Sequence, residues 1–160
     1  MWHKHTIRVR YQETDQMGVV YHANYLNWFE IGRTELIRAL GMTYQSLEER
    51  GLLLPVTEAN MAFRQPARYD DVVGIYTRIV SHSNVRLEFA SEIRRLPAVQ
   101  DSAIRIADAE IGKEGELLVS GGTRHVWVGR NWKPQRIDKE APDLFALLNA
   151  NKEKGSETDV

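Results

Sequence analysis

The sequence predicts an α+β fold in which one long helix is covered by an antiparallel sheet of about five strands. The first observation is that apolar residues recur at spacings of three and four between residues 25 and 40, which is typical of a buried helix. The second is that several segments alternate apolar and polar residues with the period of a half-buried strand. A single buried helix followed by such strands needs one sheet to cover it.

The first strand is predicted over residues 7–11, where Ile-Arg-Val-Arg-Tyr alternates strictly. A polar stretch follows over residues 12–18, and the long helix begins after it. Asn24 or a neighbouring residue is expected to cap the start of this helix, and Gly41 stands where a left-handed residue commonly ends one. The apolar face of the helix is made by Tyr25, Phe29, Gly32, Leu36 and Leu40.

A short helix is predicted next over residues 43–50, with Thr43 as its N-cap and Gly51 as its stop. Beyond it the period changes to two, and three strands are expected to form an antiparallel meander. The segments that define these three strands are residues 57–63, 73–79 and 85–94.

The last strand is predicted over residues 117–128. Its paired glycines, Gly121 and Gly122, indicate a bulge or the close approach of another backbone. A terminal helix is expected over residues 141–150. Residues 1–150 should form one domain, and the polar residues 151–160 a disordered tail.

The stretch from Leu96 to Glu116 is open to two interpretations. Residues 104–106 can form a short strand that makes a hairpin through residues 112–115. The whole stretch can instead be an excursion between two long strands. The sequence does not decide between them.

Composition narrows the possible functions. The 160 residues contain no cysteine, which excludes thiolate nucleophiles, dithiol redox pairs and cysteine-ligated metal sites. The 21 basic and 22 acidic residues give a net charge of −1, which argues against a nucleic-acid partner. With no signal-like segment and no apolar stretch long enough to span a membrane, a cytoplasmic protein is expected.

One segment combines the groups that acyl transfer needs. Between the first strand and the long helix, the chain carries Asp15, the flexible Gly18 and His22. Unpaired backbone N–H groups at a helix start can stabilise an oxyanion, and a nearby carboxylate can act as a nucleophile or activate water. Alone, each of these residues is more typical of a turn or a helix cap, so only their combination indicates acyl-transfer chemistry.

Taken together, this segment resembles the hotdog-fold acyl-CoA thioesterases of the 4-hydroxybenzoyl-CoA thioesterase type, including the bacterial short-chain acyl-CoA thioesterases. Seven residues match their motif: Tyr11, Thr14, Asp15, Gly18, Val20, Asn24 and Tyr25. Other similar features are the segments 28–30, 32–35, 66–71 and 122–125. The resemblance covers residues 6–129, and the long 96–116 stretch departs from it.

The resemblance implies a long helix wrapped by a curved antiparallel sheet, and active sites at the interface of a homodimer. By this resemblance Asp15 is the catalytic carboxylate, while the backbone N–H of His22 polarises the thioester carbonyl and its side chain orients substrate or water. The residues expected to bind substrate are Gly18, Tyr21, Asn24 and Tyr25. No metal or redox cofactor is implied.

A homodimer is also expected from the sheet itself, because joining edge strands of two copies removes unpaired edges. A dimer of dimers, hence a homotetramer, is compatible with the exposed sheet faces. Coenzyme A phosphates call for basic side chains at the site entrance, and the sequence does not choose among the candidates. These candidates are Arg64, Arg68, Arg86, Arg94 and Lys133.

Two other functions compete with thioester hydrolysis. One is a hotdog 3-hydroxyacyl-thioester dehydratase or hydratase that uses an Asp/His pair. The other is a dimer that binds acyl-CoA without catalysis. The identity of the acyl group, whether short aliphatic, branched or aromatic, cannot be read from the sequence.

Overall fold

The computed structural model describes residues 1–97 and 113–151, and its main feature is a five-stranded antiparallel sheet. The strands are β1 (His3–Arg8), β2 (Val56–Phe63), β3 (Val72–His82), β4 (Arg86–Arg95) and β5 (Glu116–Val126). The helices are α1 (Asn24–Ala39), α2 (Tyr44–Glu49), α3 (Ile137–Glu140) and α4 (Pro142–Asn151). The predicted α+β fold class is confirmed, with one long helix against one sheet.

The strand order in the sheet is β1-β3-β4-β5-β2. The predicted meander of the second, third and fourth strands is therefore wrong, because the meander consists of β3, β4 and β5. Strand β2 instead pairs with β5 at the far edge. The turn after β2 does not form a hairpin with β3, and its Ala67 and Asp71 carbonyls instead accept the N–H groups of Val20 and Val9.

The first strand covers His3–Arg8 rather than residues 7–11. Val9 is buried, and the chain then turns through a short 3₁₀ helix, Tyr11–Glu13. The turn forms because the Glu13 carboxylate accepts the Arg10 N–H at 2.8 Å, which ends the extended conformation that the alternation predicted.

Helix α1 lies over β1, β3 and β4, and its largely buried face is confirmed. Gly32 allows the close approach, because a Cβ at this position would overlap the side chains of Thr77 and Ile75 on β3. The N-cap position is Ala23 and has no side-chain cap. Asn24 is the first helical residue, and its amide donates to the Glu13 carbonyl at 2.8 Å instead.

The C-terminal end of α1 leads into an apolar cluster shared with α2 and α4. Gly41 has the predicted left-handed conformation (φ 96°), and Thr43 caps α2 by accepting the Ser46 N–H at 3.0 Å. The terminal helix α4 packs on this cluster. It is preceded by the short helix α3, which was not predicted from the sequence. The residues with the least exposure here include Ile37, Leu47, Leu87, Phe89, Trp127, Ile137, Leu144 and Leu148.

The paired glycines of β5 confirm the predicted close approach of backbones. A Cβ at Gly121 would overlap the Asn60 carbonyl of β2, and one at Gly122 would overlap the Phe89 carbonyl of β4. Residues 98–112, which include the candidate strand 104–106, and residues 152–160 lie outside the described residues. In the described part of the chain, no helix is long and apolar enough to cross a membrane.

Candidate active site

The loop between the first strand and α1 holds Asp15 in a tight turn. Its N–H donates to the Val19 carbonyl at 2.8 Å, and its carbonyl accepts the Gly18 N–H at 3.0 Å. The carboxylate Oδ1 accepts the Met17 N–H at 2.8 Å, which forms an Asx turn. Within residues 1–97 and 113–151, Oδ2 has no hydrogen-bond donor, so one oxygen is fixed and the other is available to a ligand.

The start of α1 offers free backbone donors beside this loop. The N–H groups of Tyr21 and Asn24 are paired with the carbonyls of Glu13 and Tyr21 at 2.9 Å each. The N–H groups of His22 and Ala23, which lie between them, have no acceptor in the described part of the chain. Because they are at the positive end of the helix dipole, they are suited to hold a negatively charged oxygen.

Asp15 and His22 line one cavity of about 240 Å³. One wall is the loop and the start of α1, and the other is the end of β2 with the turn that follows. The lining residues are Asp15, Met17, Val19, Val20, His22, Tyr25, Phe63, Arg64, Gln65 and Pro66. The site therefore combines a carboxylate, helix N–H groups and apolar walls.

Aromatic side chains form the inner wall of the cavity. The Tyr25 ring is 5.8 Å from the Phe63 ring and 5.1 Å from the Trp28 ring, between centroids. The Tyr25 hydroxyl accepts the Ala67 N–H at 2.9 Å, and burial raises the pKa of this phenol, which therefore stays neutral. Trp28 and Phe29 are fully buried in the core and do not line the cavity.

The other residues expected to bind substrate are arranged around the cavity rather than in its wall. Gly18 (φ 77°) closes the Asp15 turn, and the exposed Tyr21 ring lies 4.6 Å from the His22 ring. The Asn24 side chain is engaged with the Glu13 carbonyl. The structure thus brings Asp15, His22 and Tyr25 together, with Gly18, Tyr21 and Asn24 supporting the loop and the helix start.

Of the basic residues considered for phosphate, Arg64 lines the cavity and Arg68 lies in the adjacent turn. In the described ranges, neither side chain has an ion pair. Arg94 is paired with Glu92 at 2.9 Å. Arg86 lies at the other end of the sheet, where it pairs with Val126, and Lys133 follows nearby, since its carbonyl accepts the Gly129 N–H.

The turn after β2 is fixed against the sheet by Arg95. Its guanidinium binds the Asp71 carboxylate at 3.0 Å and also donates to the Pro66 carbonyl. Among the described residues, no group of three His, Asp or Glu side chains is placed to hold a metal ion. The residues with polar side chains that line the cavity are Asp15, His22, Tyr25, Arg64 and Gln65.

A family model described as the thioesterase-like superfamily matches residues 9–140, which include every residue of this cavity. The chain belongs to the thioesterase-like superfamily. Its sequence is 36% identical to YneP of Bacillus subtilis (strain 168), a provisional acyl-CoA thioesterase, over 88% of this chain and 90% of that one. It is 34% identical to the acyl-CoA thioesterase YbgC of Haemophilus influenzae, over 67% and 80% of the two chains.

Solved structures with similar sequences share the fold. A crystal structure of DHNA-CoA thioesterase from Staphylococcus aureus matches with a TM-score of 0.79 and 30% identity, over 93% of this chain and 89% of that one. Protein TT1821 of Thermus thermophilus matches with the same TM-score and 33% identity, over 96% and 100% of the two chains. The resemblance to hotdog thioesterases is confirmed.

Sequence reasoning missed two parts of this thioesterase-like site. Phe63 contributes to the wall although it is about 40 residues from the other aromatic residues along the chain. No local pattern indicates this, because the contact depends on where β2 ends in the sheet. Glu13, which forms hydrogen bonds with Arg10, Asn24 and Trp28, was also not identified from the sequence. The available signal was that Glu13 is a charged residue inside the motif.

Proposed function

We propose that this protein hydrolyses acyl-CoA thioesters to the free acid and coenzyme A. The observation that carries the proposal is the shared cavity, in which the Asp15 carboxylate faces the same space as the start of α1. Membership of the thioesterase-like superfamily supports the reaction class. The names of the relatives, among them acyl-CoA thioesterase, support the acyl-CoA substrate.

In the proposed mechanism, the thioester carbonyl oxygen accepts hydrogen bonds from the N–H of His22 and its neighbour Ala23. Negative charge develops on this oxygen when the carbonyl carbon is attacked, and preorganised donors stabilise that charge by about 3 kcal/mol each. The C–S bond then breaks, and coenzyme A leaves as a thiolate that takes up a proton. The His22 side chain orients the substrate or water at the entrance.

Asp15 can supply the attacking group in two ways. Its free Oδ2 can attack the carbonyl carbon and form a mixed anhydride, which water then hydrolyses. Alternatively, the carboxylate can take a proton from water, so that hydroxide attacks directly. A single turnover in ¹⁸O-labelled water tests for the anhydride route, because labelled oxygen enters the Asp15 carboxylate only when water attacks the anhydride at the Asp15 carbonyl.

The active form is proposed to be a homodimer joined through β2. This edge strand is exposed along nearly its whole length, including Val56 and Phe63, and α1 does not cover it. A second copy paired along β2 would remove the unpaired edge and close the open side of the cavity at Phe63. Sedimentation of the purified protein tests this state and a possible tetramer.

The deciding experiment is a thiol-release assay with a panel of acyl-CoA esters. The panel covers short aliphatic, branched and aromatic acyl groups, compared by kcat/KM. The proposal predicts stoichiometric release of coenzyme A with at least one class. Hydration of an enoyl-CoA without thiol release would instead identify a hydratase, and tight binding without turnover of any ester would identify an acyl-CoA binder.

A further inference from the structure

Glu13 lies two residues before Asp15 and is buried, with only 8% of its surface exposed. Its carboxylate accepts three hydrogen bonds. Oε1 accepts from the backbone N–H of Arg10 at 2.8 Å and from its Nε at 3.3 Å, and Oε2 accepts from the indole N–H of Trp28 at 2.7 Å. A buried carboxylate is stable only when it is held by several donors, so its position is tightly defined.

The backbone carbonyl of Glu13 makes two further contacts. It accepts the Tyr21 N–H at 2.9 Å and the Asn24 side-chain amide at 2.8 Å. These two residues stand on either side of His22 and Ala23, the residues with the free N–H groups. One residue therefore connects the chain before Asp15, the first turns of α1 and the entry to the helix.

We propose that Glu13 is a positioning residue for the hydrolysis proposed above, on which this inference rests. It fixes the distance between the Asp15 carboxylate and the free N–H groups at the start of α1. Glu13 does not line the cavity, so its effect on the reaction passes through the placement of other groups. A displacement of about 1 Å between reacting groups is enough to lower a rate by about 100-fold.

The test is a set of Glu13 variants compared by kcat and KM separately. Glu13→Ala should lower kcat by about 100-fold, while KM changes little because the cavity walls and Arg64 remain. Glu13→Gln keeps one acceptor for the Trp28 indole but turns an amide N–H group toward Arg10, so kcat should fall by only about tenfold. Glu48→Gln, at an exposed glutamate of α2, is the matched control and should behave as wild type.

A second readout does not need activity. The ¹H–¹⁵N resonance of the Trp28 indole reports the hydrogen bond to Oε2 directly. It should shift in Glu13→Gln and shift further in Glu13→Ala, together with the amide resonances of His22 and Ala23. If Glu13→Ala does not fold, Glu13→Gln carries both measurements.

The outcomes separate this inference from the proposed function. A wild-type protein that hydrolyses acyl-CoA, with Glu13→Gln as stable as wild type and undiminished in kcat, would overturn the positioning role and leave the function intact. A rise in KM as large as the fall in kcat would also overturn it, since it would indicate a role in binding. A wild-type protein that releases no thiol from any ester would reject the function itself, and unshifted His22 and Ala23 resonances would then reject the placement as well.

Discussion

At its C-terminal end, helix α1 satisfies its own backbone groups, whereas at its N-terminal end it leaves two of them free. The Gly41 N–H donates to the Arg38 carbonyl at 3.0 Å, and the Met42 N–H donates to the Ile37 carbonyl at 3.2 Å. This is the Schellman pattern that ends many helices. Within the described residues, the N–H groups of His22 and Ala23 have no such acceptor.

The surroundings of the two ends differ in the same way. The C-terminal end is packed among fully buried side chains such as Ile37, Leu47 and Trp127. The N-terminal end opens on the cavity that Asp15 lines. The C-terminal end of α1 therefore contributes chiefly to stability, whereas the N-terminal end has free backbone N–H groups that can bind a ligand. Substitutions at the two ends should separate activity from stability.

The largest expected effect is that of Asp15→Asn at the open end. The asparagine Oδ1 still accepts the Met17 N–H, so the turn should remain, but the side chain can neither attack nor take a proton. We expect kcat for thioester hydrolysis to fall by about 1,000-fold or more. Thiol release measures kcat, and thermal unfolding should show an unchanged Tm. Undiminished turnover by a folded Asp15→Asn protein would refute the proposed role of Asp15.

At the closed end, His125 should make stability depend on pH. Burial, and after it the nearby Arg33 guanidinium, lowers the pKa of His125 from 6.5 to about 4. In the unfolded chain the pKa returns to 6.5. Between these two values the unfolded chain binds a proton that the folded chain does not, so stability is full above pH 6.5 and falls as the pH falls toward 4.

Urea unfolding at about pH 7.5 and about pH 5 measures this effect. The part due to His125 should be about 2 kcal/mol between the two conditions, lost at the lower pH. His125→Gln should remove that part of the difference while turnover at neutral pH is retained. Equal pH dependence in the wild-type and His125→Gln proteins would show that His125 does not remain neutral in the folded state.

Arg64→Ala sharpens the comparison by testing what the open end binds. Because Arg64 lines the cavity without an ion pair in the described part of the chain, it is available to a coenzyme A phosphate. We expect KM for acyl-CoA to rise by about tenfold, with no change for an acyl-pantetheine that lacks the nucleotide. Arg86→Ala, at the other end of the sheet, is the control. Equal effects on both substrates would exclude phosphate binding by Arg64.

Local patterns predicted most elements, because each depends on near neighbours in the chain. The period of α1, the Thr43 cap and the Gly41 stop are properties of short segments, and all three are confirmed. The position of β2 was not predictable in this way. Pairing with β5 rather than β3 depends on contacts across the whole sheet, which no local period encodes.

The residues of the candidate site also fall into those that a local pattern predicts and those that depend on the folded sheet. Asp15 and His22 lie in one short segment, so the sequence alone predicts both of them as site residues. Phe63 and Arg64 join them only because β2 crosses to the far edge of the sheet. Glu13 is within the motif, but its function is carried by hydrogen bonds to Trp28 and Asn24 that exist only in the folded chain.

The smallest effects compare two glycines that have the same left-handed backbone at opposite ends of α1. Gly41 (φ 96°) and Gly18 (φ 77°) both have open space where a Cβ would be, so alanine adds only backbone strain. Each of Gly41→Ala and Gly18→Ala should lower the free energy of unfolding by about 1 kcal/mol, measured by urea denaturation. Only Gly18→Ala should also lower kcat, because backbone strain at position 18 displaces the turn that the Gly18 N–H closes around Asp15. If Gly41→Ala reduced kcat equally, the division of roles between the two ends of the helix would be wrong.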